Sequence, residues 1–180
     1  MNRKIKIIAL SVALLLSSLL SYSYAQKCKY EYQKTDGLTG NTLKAIQYEA
    51  SGTLTLRCKK VNDGYEIDIL IYFQWADGGE AYSRGQTMRM EVGDSLTFKL
   101  STGEIVSLYA TKQLIPVQKA NGWGSFLTYD ALSTDKNNME KLANTTVSYI
   151  RVNFGKDVYD AFLKEKSAKQ LQSSLNCLLQ

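Results

Sequence analysis

The sequence has no histidine, one proline, three cysteines and no long apolar run beyond residue 20. Each scarcity excludes something. Without imidazole there is no Ser–His or Cys–His nucleophilic pair and no His-ligated metal. The general base most used near neutral pH is also missing. Carboxylate, lysine, tyrosine and serine chemistry remains open, so the weight of an enzymatic reading falls without vanishing. Cys28, Cys58 and Cys177 contain no Cys-x-x-Cys pair, which excludes a zinc-finger arrangement. One proline and no Ser/Gly/Pro-rich tract leave no linker to divide the chain. No phosphate-binding glycine loop, dinucleotide fingerprint or calcium loop is present, and no cofactor or metal is expected.

What the chain does have begins at its start. Arg3, Lys4 and Lys6 precede an apolar run over residues 7–20, and Ser23-Tyr24-Ala25 places small residues where a signal peptidase reads. This pattern predicts a secretory signal over residues 1–25, cleaved after Ala25, and a product in the periplasm or outside the cell. The run is too short for a comfortable membrane span, and no later segment is apolar enough for one. Lys27 before Cys28 fits poorly with lipoprotein processing, which needs a small residue there, so a soluble product is expected. Removing the signal also removes three of the 22 basic residues and none of the 17 acidic ones, leaving 19 against 17 and a net charge of about +2. The remaining charge is mixed along the chain, with no basic stripe for nucleic acid.

Residues 26–180 make one ordinary domain, large enough to bury a core without staples. Export puts all three cysteines in a disulfide-permissive space, and three thiols allow at most one internal bridge. Cys28–Cys177 would clamp the two ends of the mature chain. The loop-entropy account gives about 4–5 kcal/mol for so long a loop, as an upper figure. Cys28–Cys58 is the competing pair. Cys58 lies on an apolar face and reads as a small buried hydrophobe.

Alternation predicts strands at residues 28–32 and 43–49, and a long hairpin over 53–75. A two-residue Asp63-Gly64 turn would set Cys58 opposite Ile69, Leu56 opposite Ile71, Leu54 opposite Phe73 and Lys59 opposite Asp68. A second hairpin is expected over 95–111. A loop at Ser101-Thr102-Gly103 would pair Phe98 with Val106 and Leu96 with Leu108. A strand over 87–92 would precede it. Ser133 or Thr134 would cap a short helix with Met139, Leu142 and Ala143 inward. Residues 146–154 return to alternation, and Gly155 ends it. Asp157 or Asp160 would open a C-terminal helix with Lys164, Ala168, Leu171, Leu175 and Leu178 in its stripe and Cys177 toward a rim or solvent. The sum is an α+β fold: a mainly antiparallel sheet of hairpins, with a short helix and a C-terminal helix packed on one face.

The signal, Cys28-Lys29-Tyr30, the turn at 36–40, Gly93-Asp94-Ser95-Leu96, the segment 101–108 and Tyr149-Ile150-Arg151-Val152 are followed by a Cys-bearing terminal helix. Together they resemble uncharacterised secreted proteins of Bacteroides-type bacteria. The resemblance implies the compartment and the fold; it carries no activity and no site. Asp94-Ser95-Leu96 also resembles the periplasmic O-glycosylation acceptor of such bacteria.

Three residues stand out as candidate contacts. Trp123, between Gly122 and Gly124, offers an indole for a sugar ring or a protein partner; folding back over the core is the competing role. Tyr72 and Gln74 share one hairpin face with Glu66, Asp68 and Leu70, and that face is either a binding surface or an ordinary half-solvated sheet. Glu66 and Asp68, two apart on a strand and about 7 Å from each other, could act as a carboxylate pair; an ion pair of Asp68 with Lys59 explains them more simply. The leading expectation is a non-enzymatic exported domain that binds a glycan or an envelope protein. A small carboxylate-dependent hydrolase of envelope polysaccharide and a self-associating envelope component are the alternatives. The first testable consequence concerns processing: intact mass spectrometry of the exported product should match residues 26–180, and retention of residues 1–25 or added lipid mass at Cys28 would contradict the reading.

Overall fold

A computed structural model describes residues 28–74, 88–121 and 124–180. The expected signal segment and Trp123 lie outside the described residues. Apolar alternation builds strands β1 (Tyr32–Thr35), β2 (Thr42–Glu49), β3 (Leu54–Val61), β4 (Gly64–Gln74), β5 (Ser95–Leu100), β6 (Ile105–Tyr109), β7 (Val117–Asn121) and β8 (Gly124–Thr134). Helix α1 (Lys136–Asn144), strands β9 (Val147–Phe154) and β10 (Asp157–Phe162), and helix α2 (Glu165–Leu179) follow. The strands form two antiparallel sheets, ordered β1-β2-β3-β4-β8-β7 and β10-β9-β5-β6. The fold is α+β.

The two sheets face each other through their apolar sides. Leu54, Leu56, Ile67, Ile69, Ile71 and Leu127 are almost fully buried on the larger sheet, as are Leu96, Phe98, Ile150 and Val152 on the smaller. Each such side chain contributes about 1.5–3 kcal/mol by leaving water. Tyr129 of β8 lies 4.7 Å, ring to ring, from Phe154 of β9, joining the layers. A bulge where β4 meets β8 shifts the register between Ile67 and Ile69, so Tyr129 and Leu132 both point inward although three residues apart. The helices complete this second layer beside the small sheet. Tyr48 of β2 donates a 2.9 Å hydrogen bond to the Ser167 carbonyl of α2, and Asn176 of α2 donates one of 2.9 Å to the Ala143 carbonyl of α1.

Several expectations hold and several need correction. The second hairpin pairs Phe98 with Val106 and Leu96 with Leu108, around a loop in which Gly103 has φ +90°. The long hairpin instead turns at Asn62-Asp63 and pairs Cys58 with Ile67, Leu56 with Ile69, Leu54 with Ile71 and Lys59 with Glu66. The faces survive because the slip is two residues. Asn62 takes the turn's positive φ of 54°. It is held there by two bonds to Thr42: its N–H donates to the Thr42 carbonyl at 2.9 Å, and its Oδ1 accepts from the Thr42 N–H at 3.0 Å.

The first strand starts at Tyr32 rather than Cys28, since residues 28–30 are drawn toward α2. There Tyr30 donates a 2.9 Å hydrogen bond to the Cys177 carbonyl. Over 88–92 only Met90 pairs, in an isolated bridge to Leu114; Pro116 two residues on has no N–H with which to extend it. Asp135, not Ser133 or Thr134, caps α1 by accepting from the Asn138 N–H at 2.7 Å. Residues 157–162 form β10 rather than the start of a helix, and α2 begins at Glu165 with Lys164 as its cap residue.

Cys28 and Cys177 form the disulfide, with Cα atoms 5.7 Å apart across 149 residues of sequence. Cys177 is therefore buried rather than at a solvent rim, because the segment bearing Cys28 and Tyr30 covers that side of α2. Cys58 is free and buried; burial first, then the charge of Asp68, pushes its thiol up to about 12. Replacing Cys28 and Cys177 by serine should cost about 2–5 kcal/mol in urea unfolding. The native protein should show no reactive thiol and the denatured protein one. A reactive native thiol, or an unchanged unfolding midpoint, would contradict this arrangement.

Candidate functional site

Strand β9 buries Ile150, Val152 and Phe154, so alternation turns Tyr149, Arg151 and Asn153 to the opposite, outer side of the small sheet. Gly155, with φ +58°, and Lys156 form the two-residue turn into β10. The register then places Phe162 beside Tyr149, Asp160 beside Arg151 and Val158 beside Asn153. On the other side of β9, Lys99 and Thr97 of β5 pair with Tyr149 and Arg151. Ile105 and Ser107 of β6 pair with Lys99 and Thr97. Four strands spaced at about 4.8 Å make a platform about 14 Å across. One of its rows runs Phe162, Tyr149, Lys99, Ile105.

That row is open. Phe162 is 81 % exposed and Ile105 61 %. The Phe162 and Tyr149 rings lie 4.7 Å apart and tilted by 53°. Arg151 sits 5.4 Å over the Tyr149 ring and grips Asp160 with two bonds, Nε to Oδ1 at 2.8 Å and Nη2 to Oδ2 at 2.9 Å. This fork fixes the position of the guanidinium beside the ring. The Arg151 hydrogen bond keeps the Asp160 carboxyl below its ordinary value, and the Arg151 guanidinium is raised in turn. The Tyr149 hydroxyl is raised by desolvation and by its hydrogen bond to Asp160. At the other side of the rings, β5 and β9 shift register between Lys99 and Leu100. Ser148, at this irregularity, donates a 3.0 Å hydrogen bond to the Lys99 carbonyl. Lys99, Ser148, Tyr149 and Phe162 line a depression of about 290 Å³, near the lower end of small-ligand sites.

The outer face of the large sheet is of a different kind. Five of its charges are engaged with one another. Arg57 binds Glu31 through Nε at 2.6 Å and Nη2 at 2.9 Å and lies 3.8 Å from Asp68. Lys59 reaches Asp68 at 2.7 Å and Glu66 at 3.2 Å. Burial alone would lower the Lys59 ammonium, but the two carboxylates outweigh it and the net shift is upward. Asp68, only 3 % exposed, is thus part of a ladder of ion pairs. Glu66 and Asp68 share a lysine, so the geometry gives no support to a catalytic pair.

Of the residues singled out from sequence, Tyr72 is half-buried with its ring 4.8 Å from that of Phe126. Gln74 pairs through its backbone with Gly124, the residue after Trp123; the Gln74 side chain, like Trp123, lies outside the described residues. Ser95, the sugar-acceptor candidate, is 7 % exposed and accepts a 2.8 Å hydrogen bond from Asn153, so its hydroxyl is both covered and engaged. The Tyr149–Phe162 row was not among the expected sites. Half of its signal was present in the outward members of β9. The other half was hidden by reading Asp157 and Asp160 as helix openers. Among the described residues no group of His, Cys, Asp or Glu could hold a metal ion, and no helix is long and apolar enough to cross a membrane. No protein-family model, curated protein or solved structure matches the chain.

The Arg151–Asp160 fork has a pH signature. Because the folded Asp160 carboxyl lies below its ordinary value, the fork is complete above about pH 4 and is lost as pH falls through the lower folded-state value. The Arg151 Nε–H should give a slowly exchanging NMR resonance at neutral pH that disappears in Asp160→Asn and on acidification. A resonance indifferent to both changes would contradict the fork.

Proposed function

We propose that the chain is an exported, non-enzymatic domain that binds a glycan through the outer face of its four-stranded sheet. The observation that carries this reading is the Tyr149–Phe162 ring pair, with Phe162 exposed and Tyr149 half-buried at the rim of a mainly apolar depression, braced by Arg151 and Asp160. A sugar ring presents an apolar C–H face and a polar edge. It is matched by an aromatic surface flanked by hydrogen-bonding groups. Strands hold these side chains more firmly than a loop does, so less ordering is needed on binding. The Cys28–Cys177 bridge suits a chain that folds in an oxidising compartment, in keeping with the signal pattern of residues 1–25.

Purified residues 26–180 should bind a subset of a glycan array. Phe162→Ala and Tyr149→Ala should each weaken that binding at least about tenfold. Phe162 is so exposed that its replacement should leave the melting temperature nearly unchanged. Tyr72→Ala should leave binding intact. A blank array with folded protein would turn the assignment toward an envelope protein, whereas mass rising with concentration in light scattering would favour self-association. Loss of binding in a Trp123→Ala variant alone would move the site away from the Tyr149–Phe162 face.

A further inference from the structure

We infer that the glycan bound on this face is acidic, a pyranose bearing a carboxylate, sulfate or phosphate group that Lys99 receives; the inference rests on the glycan-binding reading above. The charges around the depression are unevenly committed. Arg151 is neutralised by Asp160 through two short bonds, and Lys141, beyond the β5–β6 loop, is neutralised by Glu104 at 2.7 Å. Lys99 stands between them in sequence register with Tyr149 and Ile105, exposed to solvent. Among the described residues no carboxylate lies within ion-pair distance of it. It therefore brings the one uncompensated charge to the residues lining the depression.

The geometry also fixes where that charge lies relative to the rings. Lys99 is the direct cross-strand neighbour of Tyr149, on the side away from Phe162. Directly paired residues have Cβ atoms about 5 Å apart. A pyranose stacked on the Phe162–Tyr149 pair carries its equatorial substituents outward from its edge. A substituent directed along the row meets the Lys99 ammonium, while one directed across it meets the Arg151–Asp160 fork. The Lys99 stem can lie along the sheet between Tyr149 and Ile105 with its ammonium at the rim. A neutral sugar in the same place would leave that charge unanswered; an anionic one forms a charge-assisted hydrogen bond beside an apolar wall.

The test uses matched probes that differ only in charge: polygalacturonate and its methyl ester, sialyllactose and lactose, heparin and its desulfated form. These are titrated against residues 26–180 and the variants Lys99→Met, Lys99→Arg and Phe162→Ala. At least one acidic member should bind about tenfold or more tightly than its neutral partner. Lys99→Met should abolish that preference, Lys99→Arg should keep most of it, and added salt should shrink it. The pair that shows the preference identifies the anionic group. Equal binding of acidic and neutral members, lost in Phe162→Ala, would overturn the acidic assignment and leave the glycan face standing. An acidic preference that survives Lys99→Met would overturn the role of Lys99. No binding to any probe by folded protein would overturn both.

Discussion

The candidate site depends on one constraint, the pairing of β10 with β9 across the turn at Gly155. A slip of one residue would turn Phe162, Asp160 and Val158 inward and bring Ala161 and Tyr159 out, since strand side chains alternate with period two. A slip of two would keep the faces and separate Phe162 from Tyr149 and Asp160 from Arg151. The register is fixed locally and from a distance. Gly155 adopts a positive φ that a side chain would strain. Its N–H is held at 2.9 Å by the Asp94 carboxylate, which also accepts the Glu91 N–H at 2.8 Å. Beyond the far end of β10, the Leu163 N–H bonds to the Ser148 carbonyl at 3.0 Å.

The rest of the molecule makes that platform stiff. The inner side of β9 and β5 is bolted to the large sheet by buried aliphatic side chains and by the Tyr129–Phe154 contact. Helix α2 packs beside it and is tied to the start of the described chain by the disulfide. The two outer faces then diverge in chemistry. On the large sheet, Glu31, Arg57, Asp68, Lys59 and Glu66 form a ladder of ion pairs, three carboxylates on two cations. On the small sheet Phe162 is exposed beside half-buried Tyr149, and Lys99 has no carboxylate partner among the described residues. Charged groups that already bind one another offer little to a ligand, whereas an exposed ring beside an unpaired cation offers both stacking and charge.

The legibility of this arrangement in the sequence follows its physical scale. Period-two alternation is a local property, and it located β2, the two hairpins, β9 and their buried faces. The Ser101-Thr102-Gly103 loop was legible because a glycine at one position selects one geometry. The Asn62 turn was not, because its conformation is held by Thr42, which is 20 residues away in sequence. Cys177 was misplaced for a related reason: a helical stripe read in isolation knows nothing of the segment that Cys28 and Tyr30 lay over it. β10 was mistaken for a helix because its two aspartates look like caps, while Asp160 in fact binds Arg151 across the sheet. The ring pair is likewise a product of register between two strands, and neither strand reveals it alone.

NMR of residues 26–180 tests this register without any ligand. Cross-strand nuclear Overhauser contacts should join Asp160 to Arg151 and the ring protons of Phe162 to those of Tyr149, with extended-chain patterns through residues 157–162. Sequential amide–amide contacts through 157–162, the mark of a helix, together with no contact between the two rings, would contradict the account and dissolve the proposed face.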